Sequence, residues 1–244
     1  MTENLRVAVV TGGSRGIGQV VAERLAADGL AVAIVYASNK EAADATVAAI
    51  TGNGGRALAR SADIGDEAAM SAVFDDVEAE FGGIDVVVNS AGIMHLQPVA
   101  ELDLAALDRM HRTNIRGAFV VNQQAARRVR TGGAIINFST SVKKLALPTY
   151  AAYAASKGAI DALVPVLAKE LRGRDVTVNA VAPGPTATDL FLEGKDEATV
   201  TAMANMNPMQ RLGTPADIAE VVSFLAGPGR WVNGQTVYVN GGMV

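Results

Sequence analysis

Tyr153 and Lys157 stand four residues apart in Tyr-Ala-Ala-Ser-Lys, inside a stretch, 150–172, with helix-forming composition. On a helix, that spacing puts both side chains on one face. An ammonium close to a phenol favours the phenolate and lowers its pKa from about 10. A phenol tuned towards neutrality exchanges a proton with an alcohol or a carbonyl. Taken alone, the pair reads equally as a surface lysine beside a packed tyrosine. What surrounds it decides.

A second group of residues suits an anion. Thr11-Gly12-Gly13-Ser14-Arg15-Gly16-Ile17-Gly18 follows an apolar run and precedes a helical one. Glycine lets the backbone turn tightly and approach a phosphate. The helix that follows offers unpaired N–H groups and a partial positive charge. The loop is therefore expected to hold a pyrophosphate, although its spacing is G-x-x-x-G-x-G rather than the commoner G-x-G-x-x-G. A carboxylate near the end of the next strand would bind a ribose 2′-hydroxyl and favour NAD. Residues 34–40, Ile-Val-Tyr-Ala-Ser-Asn-Lys, hold no acid. Ser38, Asn39 and Lys40, with Arg15 from the glycine loop, are instead expected beside a 2′-phosphate, which selects NADP(H). The competing reading is that Ser38-Asn39 caps the following helix.

The elements that must position these groups alternate along the chain. Strands are expected at 5–10, 31–36, 56–61, 85–89, 134–138, 176–181 and 235–239. Helices are expected at 16–28, 40–51, 66–81, 104–130, 150–172 and 215–226. The strands are continuous apolar runs, as in a parallel sheet covered on both faces. The expected fold is thus α/β, a single doubly wound, Rossmann-type domain over 1–244. The stretch 185–212 breaks the rhythm with Pro185, Gly194 and Pro208. It reads as a mobile substrate loop with one or two short helices.

Composition narrows the classes further. The 244 residues are 50% hydrophobic and 19% charged, which excludes a disordered chain. The absence of cysteine excludes disulfides and thiol chemistry, and two histidines, His95 and His111, make no histidine-rich metal centre; no metal is expected. A net charge of −4 disfavours nucleic acid as a partner. No uninterrupted apolar run is long enough to span a bilayer, and the N-terminus, Met-Thr-Glu-Asn-Leu-Arg, has no signal-peptide pattern. A cytoplasmic protein without a membrane partner is the expectation.

The glycine loop and the Tyr–Lys pair together resemble the short-chain dehydrogenase/reductase family, and the resemblance covers nearly the whole chain. The family's TGxxxGxG corresponds to Thr11–Gly18. Its adenine-site aspartate resembles Asp63, followed by Ile64. Its NNAG appears as Asn89-Ser90-Ala91-Gly92, with serine replacing an asparagine. Its helix asparagine matches Asn114, its YxxxK is Tyr153–Lys157, and its PG motif is Pro183-Gly184-Pro185-Thr186-Ala187-Thr188. The stretch Gly234–Gly242 looks like the family's usual ending. The nearest branch in appearance is that of 3-oxoacyl-carrier-protein and polyhydroxynaphthalene reductases.

The resemblance implies hydride transfer between NADP(H) and a small-molecule carbonyl or alcohol. Tyr153 would be the general acid or base. Lys157 would bind the nicotinamide ribose and lower the tyrosine pKa, and Asn114 would hold a relay water. A hydroxyl after the fifth strand would polarise the substrate oxygen. Family spacing points to Thr140, with Ser141 and Ser139 as alternatives in Asn-Phe-Ser-Thr-Ser-Val. Lys143-Lys144 reads as a solvated pair or as a feature favouring an anionic or carrier-tethered substrate. Arg127, Arg128 and Arg174 offer either a carrier-docking patch or helix-end charge. His95 is a cleft residue or incidental, and Trp231 a subunit contact or local core. Related proteins form tetramers, so a homotetramer is expected. The alternative function is a non-catalytic dinucleotide sensor on the same fold.

Overall fold

In the computed structural model, residues 5–244 are described; the start of the N-terminal segment considered above, 1–4, lies outside them. One parallel sheet organises the chain. Its strands are β1 (Val7–Thr11), β2 (Ala31–Tyr36), β3 (Arg56–Ser61), β4 (Ile84–Asn89), β5 (Val129–Phe138), β6 (Thr177–Pro183) and β7 (Thr236–Val239). They lie in the order β3-β2-β1-β4-β5-β6-β7. The connection reverses direction between β1 and β4, and open α/β sheets bind ligands at such a point.

The helices are α1 (Gly16–Ala27), α2 (Lys40–Gly52), α3 (Glu67–Phe81), α4 (Leu104–His111), α5 (Ala118–Arg128), α6 (Val142–Leu145), α7 (Ala151–Glu170), α8 (Asp189–Leu192), α9 (Glu197–Ala204) and α10 (Pro215–Ala226). Alternation along β1 explains the two layers. Val7 and Val9 face a core completed by α3, α5 and α7, through Phe74, Val121 and Val164. Ala8 and Val10 face the opposite core, completed by α1, α2 and α10 through Leu25, Ile50 and Val222. Both faces of the central strands are buried, so these carry no polar alternation, whereas the edge strand β3, Arg-Ala-Leu-Ala-Arg-Ser, is partly exposed.

Most expected boundaries agree within about two residues, the ordinary scatter at frayed ends. The exception is the helix expected over 104–130. It is α4, then a π-helical segment, Arg112–Gly117, then α5. Gly117 ends the π-helical segment, and a Cβ there would lie 2.7 Å from the Ile64 side chain, so only glycine fits at this crossing. Val129 and Arg130 leave the helix and begin β5, which is irregular where it passes Ile84 and Val86 of β4. The stretch after Pro185 contains α8 and α9.

By length and composition α7 is long and apolar enough to cross a membrane. Here it packs along β6 and carries Lys157 and Asp161 into contacts with the protein. Trp231 is fully exposed and so is not part of a local core.

Candidate active site

A cavity of about 540 Å³ opens at the C-terminal ends of the strands. One side is the glycine loop from Gly12 to Gly18, including Ser14, Arg15, Gly16 and Ile17. The next wall comes from Ser38, Asn39, Asp63 and Ile64, and then from Ala91 and Gly92. The far wall carries Thr140, Ser141, Tyr153 and Lys157, closed by Pro183, Gly184, Thr186 and Thr188. Residues far apart in sequence thus meet in one cleft. Two expected site residues, Asn89 and Asn114, stand behind the wall rather than in it.

The glycine side fits a dinucleotide. Gly12 (φ 68°) and Gly16 (φ 55°) adopt the left-handed conformation. A Cβ on Gly12 would lie 2.9 Å from the Ala91 backbone, and one on Gly18 would lie 2.2 Å from the Gly12 carbonyl oxygen. A Cβ on Gly16 would meet nothing closer than Thr188, at 3.7 Å, so this part of the cradle is open towards the cavity. α1 begins at Arg15 without a side-chain cap, whereas Asn39, Asp66 and Thr214 cap α2, α3 and α10. Its first N–H groups are available to an anion.

The reversal point is pinned by side chains. Thr11 Oγ1 donates to Asn89 Oδ1 at 3.1 Å and accepts from the Ala91 N–H at 3.2 Å. Ser90, the departure from the family motif, donates from Oγ to the Thr11 carbonyl. Asn89 continues inward, donating to Asn137 Oδ1 at 3.2 Å, and Asn137 exchanges hydrogen bonds with Asn122. This buried amide chain joins β1, β4, β5 and α5. Asn122 and Asn137 escaped the sequence reading; the available signal was asparagine inside otherwise apolar elements.

At the end of β2, Asn39 Oδ1 accepts from the Ala42 N–H at 2.9 Å, so its carbonyl end is spent on capping α2. Lys40 pairs with Asp44, which takes it away from the expected phosphate position. Ser38 and Arg15 remain on the cavity wall. Asp63 accepts from the Gly65 N–H at 2.8 Å and pairs with Arg112 at 3.0 Å. The Gly65 N–H and the Arg112 guanidinium hold its carboxyl below the usual range, against the effect of burial.

On the far wall, Lys157 Nζ donates to the Phe138 carbonyl at 2.9 Å and lies 5.9 Å from the centre of the Tyr153 ring. Burial and the nearby Lys143 push the Lys157 amine down to about 8. The expected lowering of Tyr153 is not what the protein's own groups produce. Burial, aided by Tyr150, pushes this phenol up to about 12. Desolvation disfavours the phenolate, and the Lys157 ammonium is engaged by the Phe138 carbonyl. Asn114, in the π-helical segment, donates from Nδ2 to the Ile93 carbonyl at 2.9 Å and to Ser156 Oγ at 3.0 Å, and its Oδ1 accepts from the Ile93 N–H. π-Helical turns concentrate at functional sites.

The three candidate hydroxyls are separated by their partners. Ser139 Oγ donates to Asp161 Oδ1 at 2.7 Å. Ser141 Oγ donates to the Ala182 carbonyl at 3.1 Å and accepts from Asn240. Thr140 Oγ1 accepts from the Val142 N–H at 3.3 Å.

Several other expectations change. Lys143 is not solvated: its ammonium pairs with Asp161, with 13% of the side chain exposed. Lys144 stacks 4.2 Å from the Tyr238 ring, and neither lysine lines the cavity. Arg128 is committed to Asp75 and Glu78, and Arg174 to the Ala126 and Val129 carbonyls. These bonds remove two of the three residues of the expected carrier patch. His95 faces Gln97 at 3.1 Å and is not on the cavity wall.

The sheet order, the cradle at the reversal point and the Tyr–Lys face define a nucleotide-binding α/β protein of the oxidoreductase type. A family model described as enoyl-(acyl carrier protein) reductase matches residues 12–244. A short-chain type dehydrogenase/reductase of Picea abies is 44% identical over 98% of this chain and 92% of its own length. An NADPH-dependent aldehyde reductase-like protein, chloroplastic, of Arabidopsis thaliana is 40% identical over 98% of this chain and 94% of its own. A short-chain dehydrogenase from Burkholderia cenocepacia, solved in complex with NADP, superposes with a TM-score of 0.92 at 39% identity, covering 98% and 97% of the two chains. The chain belongs to the short-chain dehydrogenase/reductase family and is an oxidoreductase.

Proposed function

We propose that the chain, as one nucleotide-binding and catalytic domain, is an NADP(H)-dependent reductase of ketones and related carbonyls. The observation that carries this reading is the far wall: a buried Tyr153 phenol beside Lys157, with the Thr140 hydroxyl on the same cavity wall. A reduced nicotinamide held along the Gly12–Gly18 cradle would supply the hydride for the carbonyl carbon. The carbonyl oxygen then needs a proton and fixed donors. Tyr153, held protonated by burial, is in the form that gives a proton. Thr140 is the hydroxyl whose hydrogen is not spent on a protein acceptor, so it is assigned to polarise the oxygen. Lys157 orients the ribose and stabilises the phenolate that remains after transfer. Asn114 positions the returning proton's path from behind the wall.

The cradle at Gly12–Gly18 suits the pyrophosphate. Ser38 and Arg15, with no acid between Ile34 and Lys40, support NADP(H) over NAD(H). The substrate end of the cavity is apolar, with Ile93, Met94, Val142, Leu145, Phe191 and Met203 in its wall. That surface suits a carbonyl on an apolar body, with the stretch 185–212 acting as the substrate loop. Phe119 of α5 and Val166 of α7 expose apolar surface, in keeping with assembly of copies through these helices.

Tyr153→Phe tests the reading. NADPH oxidation with a panel of ketones, quinones and 3-oxoacyl thioesters is expected to slow by about 10²–10⁴-fold, the worth of a positioned acid. NADPH affinity, read by fluorescence, should change little. Undiminished turnover in this variant would overturn the assignment, and a higher kcat/KM with NADH would overturn the cofactor preference.

A further inference from the structure

Asp161 stands one helical turn beyond Lys157 on α7, behind the cavity wall. Its Oδ1 accepts from Ser139 Oγ at 2.7 Å and from Thr236 Oγ1 at 3.2 Å. Its Oδ2 contacts the Lys143 ammonium. One carboxylate therefore ties together the end of β5, the start of α6 and β7. Lys157 and Asp161 hold successive residues, the last of β5 through the Phe138 carbonyl and the one just after it through the Ser139 hydroxyl. Thr140 comes next in the chain. Beyond it, Ser141 is fixed to the Ala182 carbonyl, and Lys143 returns to Asp161.

A charged pair with one partner 30% exposed is weak support for stability, because partial desolvation and solvent screening offset its attraction. Its location suggests another use. We propose that Asp161 and Lys143 are positioning residues: together they fix the 139–143 turn that presents Thr140, and their paired charges bear on Lys157. This rests on the catalytic reading given above.

The charge relation has a definite sign. Lys157 is faced by Tyr153 on its own helix and by Lys143 from α6; Tyr153 is faced by Tyr150. Lys143 is faced by Asp161 from α7, by neighbouring Lys144, and by the Tyr238 ring of β7 at 5.9 Å. Added positive potential lowers the pKa of an amine and of a phenol alike. Whichever of the two governs the basic limb of the rate profile, removing Lys143 raises that limb and removing the Asp161 charge lowers it.

The experiment uses the enzyme with NADPH and a ketone that the unaltered protein reduces. Lys143→Met, Asp161→Asn and the double variant are compared for kcat against pH and for NADPH affinity by fluorescence. Asp161→Asn is expected to lower kcat on the order of tenfold through misplacement of Thr140, with nucleotide affinity within about twofold. The apparent basic pKa should rise in Lys143→Met, fall in Asp161→Asn, and return towards the unaltered value in the double variant. Shifts of the same sign in the two single variants, or an unchanged kcat in Asp161→Asn, would overturn the inference. If Asp161→Asn does not fold, Lys143→Met carries the test alone, and an unmoved basic limb there overturns it. Tyr153→Phe in the same assay separates the two levels: survival of turnover in that variant removes the catalytic reading itself, whereas its loss alongside unmoved limbs removes only this inference.

Discussion

The two halves of the cleft are built by different means. On the glycine side, the backbone forms the site. Gly12 and Gly18 sit where a Cβ would meet backbone at 2.9 Å and 2.2 Å, and α1 begins uncapped towards the cavity. On the far side, side chains form it. Phe138, Ser139 and Ser141 are each held by a hydrogen bond from or to another element, and Thr140 is presented between them. A site made of backbone tolerates many side chains but no added atom at Gly12 or Gly18. A site made of side-chain bonds accepts added atoms more readily and fails when a donor or acceptor is removed. Damage to the first half should appear in nucleotide affinity, and damage to the second in rate.

The sharpest test of the second half is the choice among neighbouring hydroxyls. Thr140→Ala removes the donor assigned to the substrate oxygen and is expected to lower kcat by about 10²–10³-fold, some 2.7–4 kcal/mol of barrier. Ser141→Ala removes bonds to Ala182 and Asn240 that only hold the turn. It should cost less than tenfold, near the about 1 kcal/mol of an ordinary hydrogen bond. Steady-state kinetics on both variants decide the matter. A larger loss in Ser141→Ala would reverse the assignment.

Gly18→Ala tests the first half. The new methyl cannot be accommodated by a flexible side chain alone, because its nearest neighbour is the Gly12 carbonyl oxygen. Overpacking of this kind costs about 1–3 kcal/mol. NADPH affinity by fluorescence titration should weaken by roughly 10- to 100-fold on that scale, with a smaller change in kcat at saturating nucleotide. A fall in kcat with affinity intact would mean that the two halves are not separable in this way.

The same difference explains what could be read from sequence. Glycine spacing at 12, 16 and 18 is local, so the cradle was visible in a single stretch. So were the central strands, because both of their faces are buried and β1, β2 and β4 are nearly continuous apolar runs. The helix expected over 104–130 is helical as far as Arg128, but its π-helical turn at Arg112–Gly117 leaves no periodic trace in the sequence. Asp161 had the helical spacing to Lys157 but no visible partner, since Ser139, Lys143 and Thr236 reach it only in the folded chain. Tyr153 shows a related difference: the i, i+4 spacing reveals the lysine, while the burial that pushes the phenol up is a property of the whole site.

The smallest expected effect lies at the outer edge of the nucleotide half, where a side chain, unusually for that half, does the holding. Asp63 accepts the Gly65 N–H and pairs with Arg112, with about half of each ionic side chain exposed, 52% in both cases. Its carboxyl is lowered, first by the Gly65 N–H. A lowered carboxyl binds its proton less readily folded than unfolded. Its contribution is therefore present above the unfolded value near 4 and is lost as pH falls through the folded value. Solvent screening keeps such a pair below about 1 kcal/mol. Asp63→Asn retains an oxygen for Gly65 and loses the charge. Thermal melting at pH 7 should show a Tm lower by no more than about 2–4 °C, the scale of 1 kcal/mol in a chain of this size. The gap should close as the pH falls below the unfolded value and through the lower folded value, where the unaltered carboxyl also takes up its proton. A gap that stays constant through this range would place the stabilisation in the neutral hydrogen bond to Gly65 rather than in the charge, and the edge of this half would then be held by backbone contacts like the rest of it.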